Sequence, residues 1–270
     1  MENNRLKLRL RVIIALMTAN QNNNASGVYH ETLTWLQAES LLNENTVVVI
    51  PLGAAAKEHG PHLPLNNDAL IANWLAGEIC KRLPVVIAPL INTSFYPAFF
   101  EYPGSVSLRA QTASDMLIDI CRSLATFGAG IFYVLNTGVS TEHPLEMARL
   151  ALESDDIRLD YLKLSSAYSS LDSGRFEQQY GSHADEYETS LMLHIAPDVV
   201  DMNKSVDDGA EGEGRLSRRR GEGIWSVSGV YGQATLASAD KGKLVADALL
   251  GCALREIGAL VDSVGLKNRT

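Results

Sequence analysis

The chain is short of cysteine, of positive charge and of long apolar runs, and each shortage removes a class of function. Its three cysteines, Cys80, Cys121 and Cys252, stand far apart in 270 residues and form no CxxC pair. That pattern gives neither a disulfide framework nor a zinc knuckle, so buried thiols in a reducing compartment are expected. Lysine and arginine number 23 against 32 aspartates and glutamates, a formal net charge of −9. No broad electrostatic footprint for nucleic acid or anionic lipid is expected from that balance, and small molecules are the expected partners. No apolar run approaches the roughly 20 residues needed to cross a bilayer, so no membrane partner is expected. Internal repeats and phosphate-binding glycine spacings are missing as well.

What is present is enough hydrophobic sequence, 46%, for a sizeable core. Residues 1–27 stand apart from it. They carry a basic stretch, a short apolar run and the asparagine-rich NQNNNASG, which reads as a linker. The default reading is a disordered or loosely packed extension on a cytoplasmic chain; the alternative is a weak signal peptide and export. Residues 28–270 read as one domain.

In that domain, strand-like and helix-like segments alternate. TVVVIPLG (46–53), VVIAPLIN (85–92) and IFYVLNTG (131–138) are the continuous apolar kind expected of buried parallel strands, and LDYLKL (159–164) is a fourth. Helices are expected over 68–83, 112–127 with Thr112 as N-cap, 144–153, 186–196 and 239–264. The alternation predicts an α/β fold, helices layered around a mostly parallel sheet, with sites at the carboxyl ends of strands. A glycine-rich segment, 207–223, carries an acidic and then a basic run, and the preferred reading is a solvated surface loop.

Three clusters could carry chemistry. AAAKEHGPHLPLNNDAL (54–70) puts Lys57, Glu58, His59, His62 and Asp68 directly after a strand, on a loop stiffened by Pro61 and Pro64. Histidine and carboxylate suit zinc, manganese or iron. GSHADEYETSLML (181–193) brings His183, Asp185, Glu186 and Glu188 to a helix start. Acidic capping explains Asp185 and Glu186 but not Glu188, which falls on the apolar side and needs a partner there. The third cluster is the polar turn at Asn136, Thr137 and Gly138.

With these motifs in view, the chain resembles the creatininase (creatinine amidohydrolase) family. HGPHLPLNND, SHADEYETSLML and GVYGQATLASADKG (229–242) carry the resemblance, which runs from about residue 30 to 262. It implies a three-layer α/β/α domain, a homo-oligomer, and hydrolysis of cyclic or linear amide C–N bonds by a pair of divalent metals. By position it implies His59 and Asp68 as metal ligands, His183 as proton carrier, and Glu188 against metal or substrate. His62, Tyr96, Asn136, Gly138 and Glu186 are assigned to substrate binding, with further aromatics of 92–108 at the pocket mouth. Lys57 stands where the family has a ligating glutamate, Glu58 where it has glutamine, and Gly138 where it has a ligating histidine. A protonated lysine and a glycine cannot ligate through their side chains. The expectation is therefore one divalent metal (zinc, manganese or iron) on His59, Asp68 and Glu188. Lys57 replaces the charge of the other, and His183, Lys57 and Glu58 are the catalytic groups acting on a small-molecule amide. An inactive small-molecule-binding protein and a metal-free, lysine-assisted hydrolase are the alternatives.

Overall fold

The computed structural model describes residues 26–171 and 173–267; most of the N-terminal extension lies outside them. Five parallel strands form the central sheet: β1 (Val28–Tyr29), β2 (Val47–Leu52), β3 (Val86–Ile87), β4 (Ile131–Asn136) and β5 (Arg158–Tyr161), in spatial order β1-β3-β2-β4-β5. β2 and β4 pair over six residues, from Val47 opposite Ile131 to Leu52 opposite Asn136. Strands covered on both faces need no polar alternation, hence the unbroken apolar runs. Val47, Val49, Tyr133 and Leu135 point to one face; Val48, Ile50, Leu52, Phe132 and Val134 point to the other.

The helices are α1 (Trp35–Leu41), α2 (Asn67–Cys80), α3 (Ala110–Ala125), α4 (Glu142–Glu153), α5 (Leu164–Tyr168), α6 (Glu186–Ile195) and α7 (Ala239–Lys267). Leu75, Met192, Leu249 and Ile257 from α2, α6 and α7 cover the first face. Leu117, Cys121, Leu145 and Leu152 from α3 and α4 cover the second. The result is the expected α/β/α layering. α6 and α7 approach so closely at Gly242 that a Cβ there would meet the Ser190 carbonyl at 1.8 Å. The three cysteines are buried free thiols. Among the described residues no helix is long and apolar enough to cross a membrane.

The differences from expectation have local causes. The third strand shrinks to Val86–Ile87, because Pro84 and Pro89 on either side cannot donate to a ladder. The helix expected from Thr112 starts at Ala110, and its N-cap, Arg109, makes no side-chain bond. Four two-residue strands also lie beyond α6: β6 (Asp207–Asp208), β7 (Leu216–Ser217), β8 (Ile224–Trp225) and β9 (Gly232–Gln233).

Candidate active site

The loop after β2 returns to the sheet end through Gly53, where a Cβ would lie 2.2 Å from the Asp68 carbonyl. That close approach seats the first turn of α2 beside the loop and drives Asp68 inward. Asp68 Oδ2 lies 2.7 Å from Lys57 Nζ, and Oδ1 lies 2.8 Å from His59 Nε2. All three side chains are buried. His59 Nδ1 is 2.8 Å from the Lys57 carbonyl, which fixes the ring.

α6 supplies the opposite side. Asp185 caps it by accepting the Glu188 N–H at 3.0 Å. Glu188 then reaches back across the site. Its Oε2 accepts the Ala184 N–H at 2.7 Å, and its Oε1 accepts Asn67 Nδ2 at 3.0 Å. Ala184 has φ +48°, a region alanine seldom occupies. Such local strain persists only where the surroundings hold it. His183 is clamped by mutual backbone bonds with Tyr231 at 2.9 and 3.1 Å. Its ring packs on Phe99 at 4.5 Å, and its Nε2 lies 2.9 Å from the Glu58 carbonyl. A proton on Nε2 donated to that carbonyl leaves the Nδ1 lone pair facing Glu188 Oε2, 3.7 Å away.

His59, His183 and Glu188 each offer a donor atom, all within 4.8 Å of one another. This trio differs from the sequence-based ligand set by holding His183 in place of Asp68, whose two oxygens already face Lys57 and His59. Burial opposes charge on these groups, yet the cluster stays ionised through mutual attraction. Burial pushes Lys57 down, but Asp68, Glu188 and Glu58 outweigh it and raise its pKa. His59 is likewise pushed down by burial and carried up to about 9 by Asp68 and Glu188. Glu188 is raised by burial but held well below the usual carboxylate range by His59, His183 and Lys57. The exception is His62, which burial lowers to about 4.

Glu58 has an unusual setting. Its Oε1 accepts the Gly60 N–H, while Oε2 is buried without a hydrogen-bond partner, 3.4 Å from His183 Nε2. Room for this carboxylate comes from Gly229 (φ +91°), where a Cβ would sit 2.0 Å from Oε1. Gly232, in the same GVYG motif, makes similar room for Asp185. Gly229→Ala is therefore expected to cost about 2–4 kcal/mol in urea unfolding, through both clash and backbone strain.

A cavity of about 680 Å³ opens onto these groups, with Lys57, His183 and Glu188 on its inner side and Phe99, Tyr168 and Tyr231 among its walls. Of the residues assigned to substrate contact, Gly138 lines it. The other residues assigned to substrate contact are outside the lining, for identifiable reasons. His62 is buried with its Nε2 2.8 Å from Thr189 Oγ1. Tyr96 lies buried beneath Lys57, 5.7 Å from ammonium to ring. Asn136 is spent on the turn, donating to the Gly138 carbonyl at 2.8 Å. Glu186 faces away, holding the Glu177 and Gln178 N–H groups and Lys241 Nζ. The charged segment 207–223, expected to be a solvated loop, instead contributes Gly214, Arg215 and Leu216 to the cavity wall. Asn67, Gly229 and Tyr231 lie inside motifs that carry the resemblance, but the parts they play emerge only through these contacts.

Residues 31–257 match the family model Creatininase, described as creatinine amidohydrolase. Over 220 residues the chain is 29% identical to the mycofactocin precursor peptide peptidase of Mycolicibacterium smegmatis, covering 77% of this chain and 83% of that protein. It is 25% identical over 252 residues to the 3-dehydro-scyllo-inosose hydrolase of Thermotoga maritima, covering 83% and 81% respectively. The solved structure described as "Creatininase Mn" shares the fold, with a TM-score of 0.68 at 23% identity over 85% of this chain and 98% of that one.

Proposed function

The chain belongs to the creatininase family of amidohydrolases, and from that premise we propose that it hydrolyses a C–N bond of a small cyclic or linear amide with one divalent ion per chain. His59, His183 and Glu188 are the residues that would hold the ion. The observation that carries this reading is the convergence of their donor atoms within 4.8 Å, beside a buried Lys57–Asp68 ion pair at 2.7 Å. Two imidazoles and a carboxylate form the donor set of one class of catalytic zinc site, and manganese or iron accept similar ligands. The fold relative named above with manganese supports an ion of this class. A divalent ion bound there would supply Lewis acidity, polarising the amide carbonyl and lowering the pKa of water.

The remaining work falls to the chain's own residues. Lys57, kept protonated by Asp68, brings a fixed positive charge to the inner side of the cavity. In a site shielded from water it stabilises negative charge developing on the carbonyl oxygen. Glu58 Oε2 is buried behind His183 and free of hydrogen bonds, 3.4 Å from Nε2, so it can exchange a proton with the cavity only by way of that ring. Phe99 and Tyr231 give the substrate an aromatic wall. Water is added across the C–N bond, leaving a carboxylate and an amine.

Elemental mass spectrometry of protein purified without chelator is expected to find about one tightly held ion per chain. Chelation should abolish hydrolysis of an amide found by screening, and added zinc or manganese should restore it. Two ions per chain would refute the role given to Lys57. Activity that survives chelation would point to lysine-assisted, metal-free hydrolysis, and binding without conversion to an inactive site.

A further inference from the structure

One wall of the cavity is tied to the body of the protein by a few contacts, among them the Arg215 guanidinium on the Pro97 carbonyl at 3.2 Å and a carboxylate, Glu101, that makes several. Gly214, Arg215, Leu216 and Ile224 line that wall. They belong to a segment, 211–225, whose internal order is a two-residue ladder of β7 on β8, a bridge from Glu211 to Trp225, and exposed contacts of Arg220 with Glu211 and the Trp225 ring and of Arg219 with Glu222. Gly212, Gly214, Gly221 and Gly223 all have positive φ. Side chains are excluded where the segment folds on itself, since a Cβ on Gly223 would meet the Arg215 carbonyl at 2.1 Å. Exposed contacts of this kind are weak, so a stretch this rich in glycine needs a further reason to keep one position against the body of the protein.

Glu101 supplies the reason from outside. Its Oε1 accepts Arg215 Nη2 at 3.3 Å; its Oε2 accepts Ser217 Oγ at 3.0 Å and the Arg218 N–H at 2.9 Å. Its backbone carbonyl accepts Arg218 Nη1 at 3.4 Å. Next to it, Tyr102 donates its hydroxyl to the Ser226 carbonyl at 2.8 Å. The Glu101 side chain is only 16% exposed, so these bonds are partly shielded from water. The wall they hold leads to the reacting groups. Leu216 and Ile224 share a buried cluster with Phe99, whose ring contacts His183 and lies 4.9 Å from the Lys57 ammonium.

We propose that Glu101 is a positioning residue for this site. It fastens the 211–225 segment as the outer wall, and so sets the size of the cavity and its hold on substrate, without touching the reacting atoms. The kinetic consequence rests on the hydrolase reading; the fastening does not.

Hydrogen exchange of the full chain, read by mass spectrometry, tests it in Glu101→Ala and Glu101→Gln. Exchange over residues 211–226 is expected to rise about tenfold in Glu101→Ala and less in Glu101→Gln, which keeps one acceptor. Peptides from β2, β4 and α7 should be unchanged. For an amide hydrolysed by the wild type, KM should rise about tenfold with kcat nearly kept, the mark of lost binding. Unchanged exchange over 211–226 would overturn the proposal. Raised exchange with unchanged KM would overturn the link to substrate. If the wild type hydrolyses no amide, the hydrolase reading fails, and the exchange result still decides the fastening. Should Glu101→Ala exchange everywhere, Glu101→Gln decides.

Discussion

Replacing His183 with alanine is expected to remove the ion and the turnover together. The ring is fixed by its bond to the Glu58 carbonyl, so the nitrogen left bare is the one turned toward Glu188. With His183 gone, His59 and Glu188 make only two donors, too few for tight binding of a catalytic metal. The loss of Lewis acidity is worth several kcal/mol in the transition state, or about 10³-fold in turnover. Elemental analysis of His183→Ala distinguishes the two tasks open to this residue. An inactive protein that keeps its ion would make His183 the proton carrier instead. Protons also compete for the same donors. Without an ion His59 holds its proton up to about 9, and that proton must leave before the ring can ligate. Metal affinity should therefore rise with pH and level off near that value, as titration with zinc or manganese would show.

Much of this architecture is legible in the chain because its signals are local. β2 and β4 are covered on both faces, and continuous apolar runs declare that directly. Lys57, Glu58, His59 and Asp68 fall within one loop and one helical turn, so their meeting needs no knowledge of the fold. α1 is different. Its Thr34–Gln37 capping box is readable in the chain, but with only seven residues it shows too little periodicity to read as a helix. The contact between His183 and Glu58 spans 125 residues, and no spacing rule reaches that far. The segment 207–223 misleads for a physical reason. Arg215, Arg219 and Arg220 are indeed half-exposed or more, and an acidic run followed by a basic one suits a solvated loop. The contrary cue is the apolar pair Leu216 and Ile224 on either side of the basic run, both buried. Glu186 misleads in the opposite direction. A buried carboxylate beside a candidate site suggests chemistry, but its partners, Lys241 and two backbone amides, belong to the frame.

Replacing Lys57 with methionine should destabilise the fold strongly while leaving its shape intact. Asp68 is 1% exposed, and Lys57 is its ion-pair partner at 2.7 Å. Removing Lys57 leaves His59 as the one cation shared by the Asp68 and Glu188 carboxylates, so the buried site carries a net uncompensated charge, at a cost of about 3–5 kcal/mol. Urea unfolding at neutral pH measures that cost, and a value near zero would sink the pairing. Lys57→Glu tests the stronger claim that the ammonium takes the place of a metal. This change alters the local charge by two units, the charge of one divalent ion. With Asp68, Glu58 and the new carboxylate crowded together, the apo variant should be less stable than Lys57→Met. Added manganese or zinc should recover much of the difference, because a ligand of the folded state stabilises it by mass action. The extra ion should bind weakly, since Gly138, which also lines the cavity, supplies no side-chain donor. Equal instability of Lys57→Glu with and without metal would mean that the lysine balances Asp68 but replaces nothing.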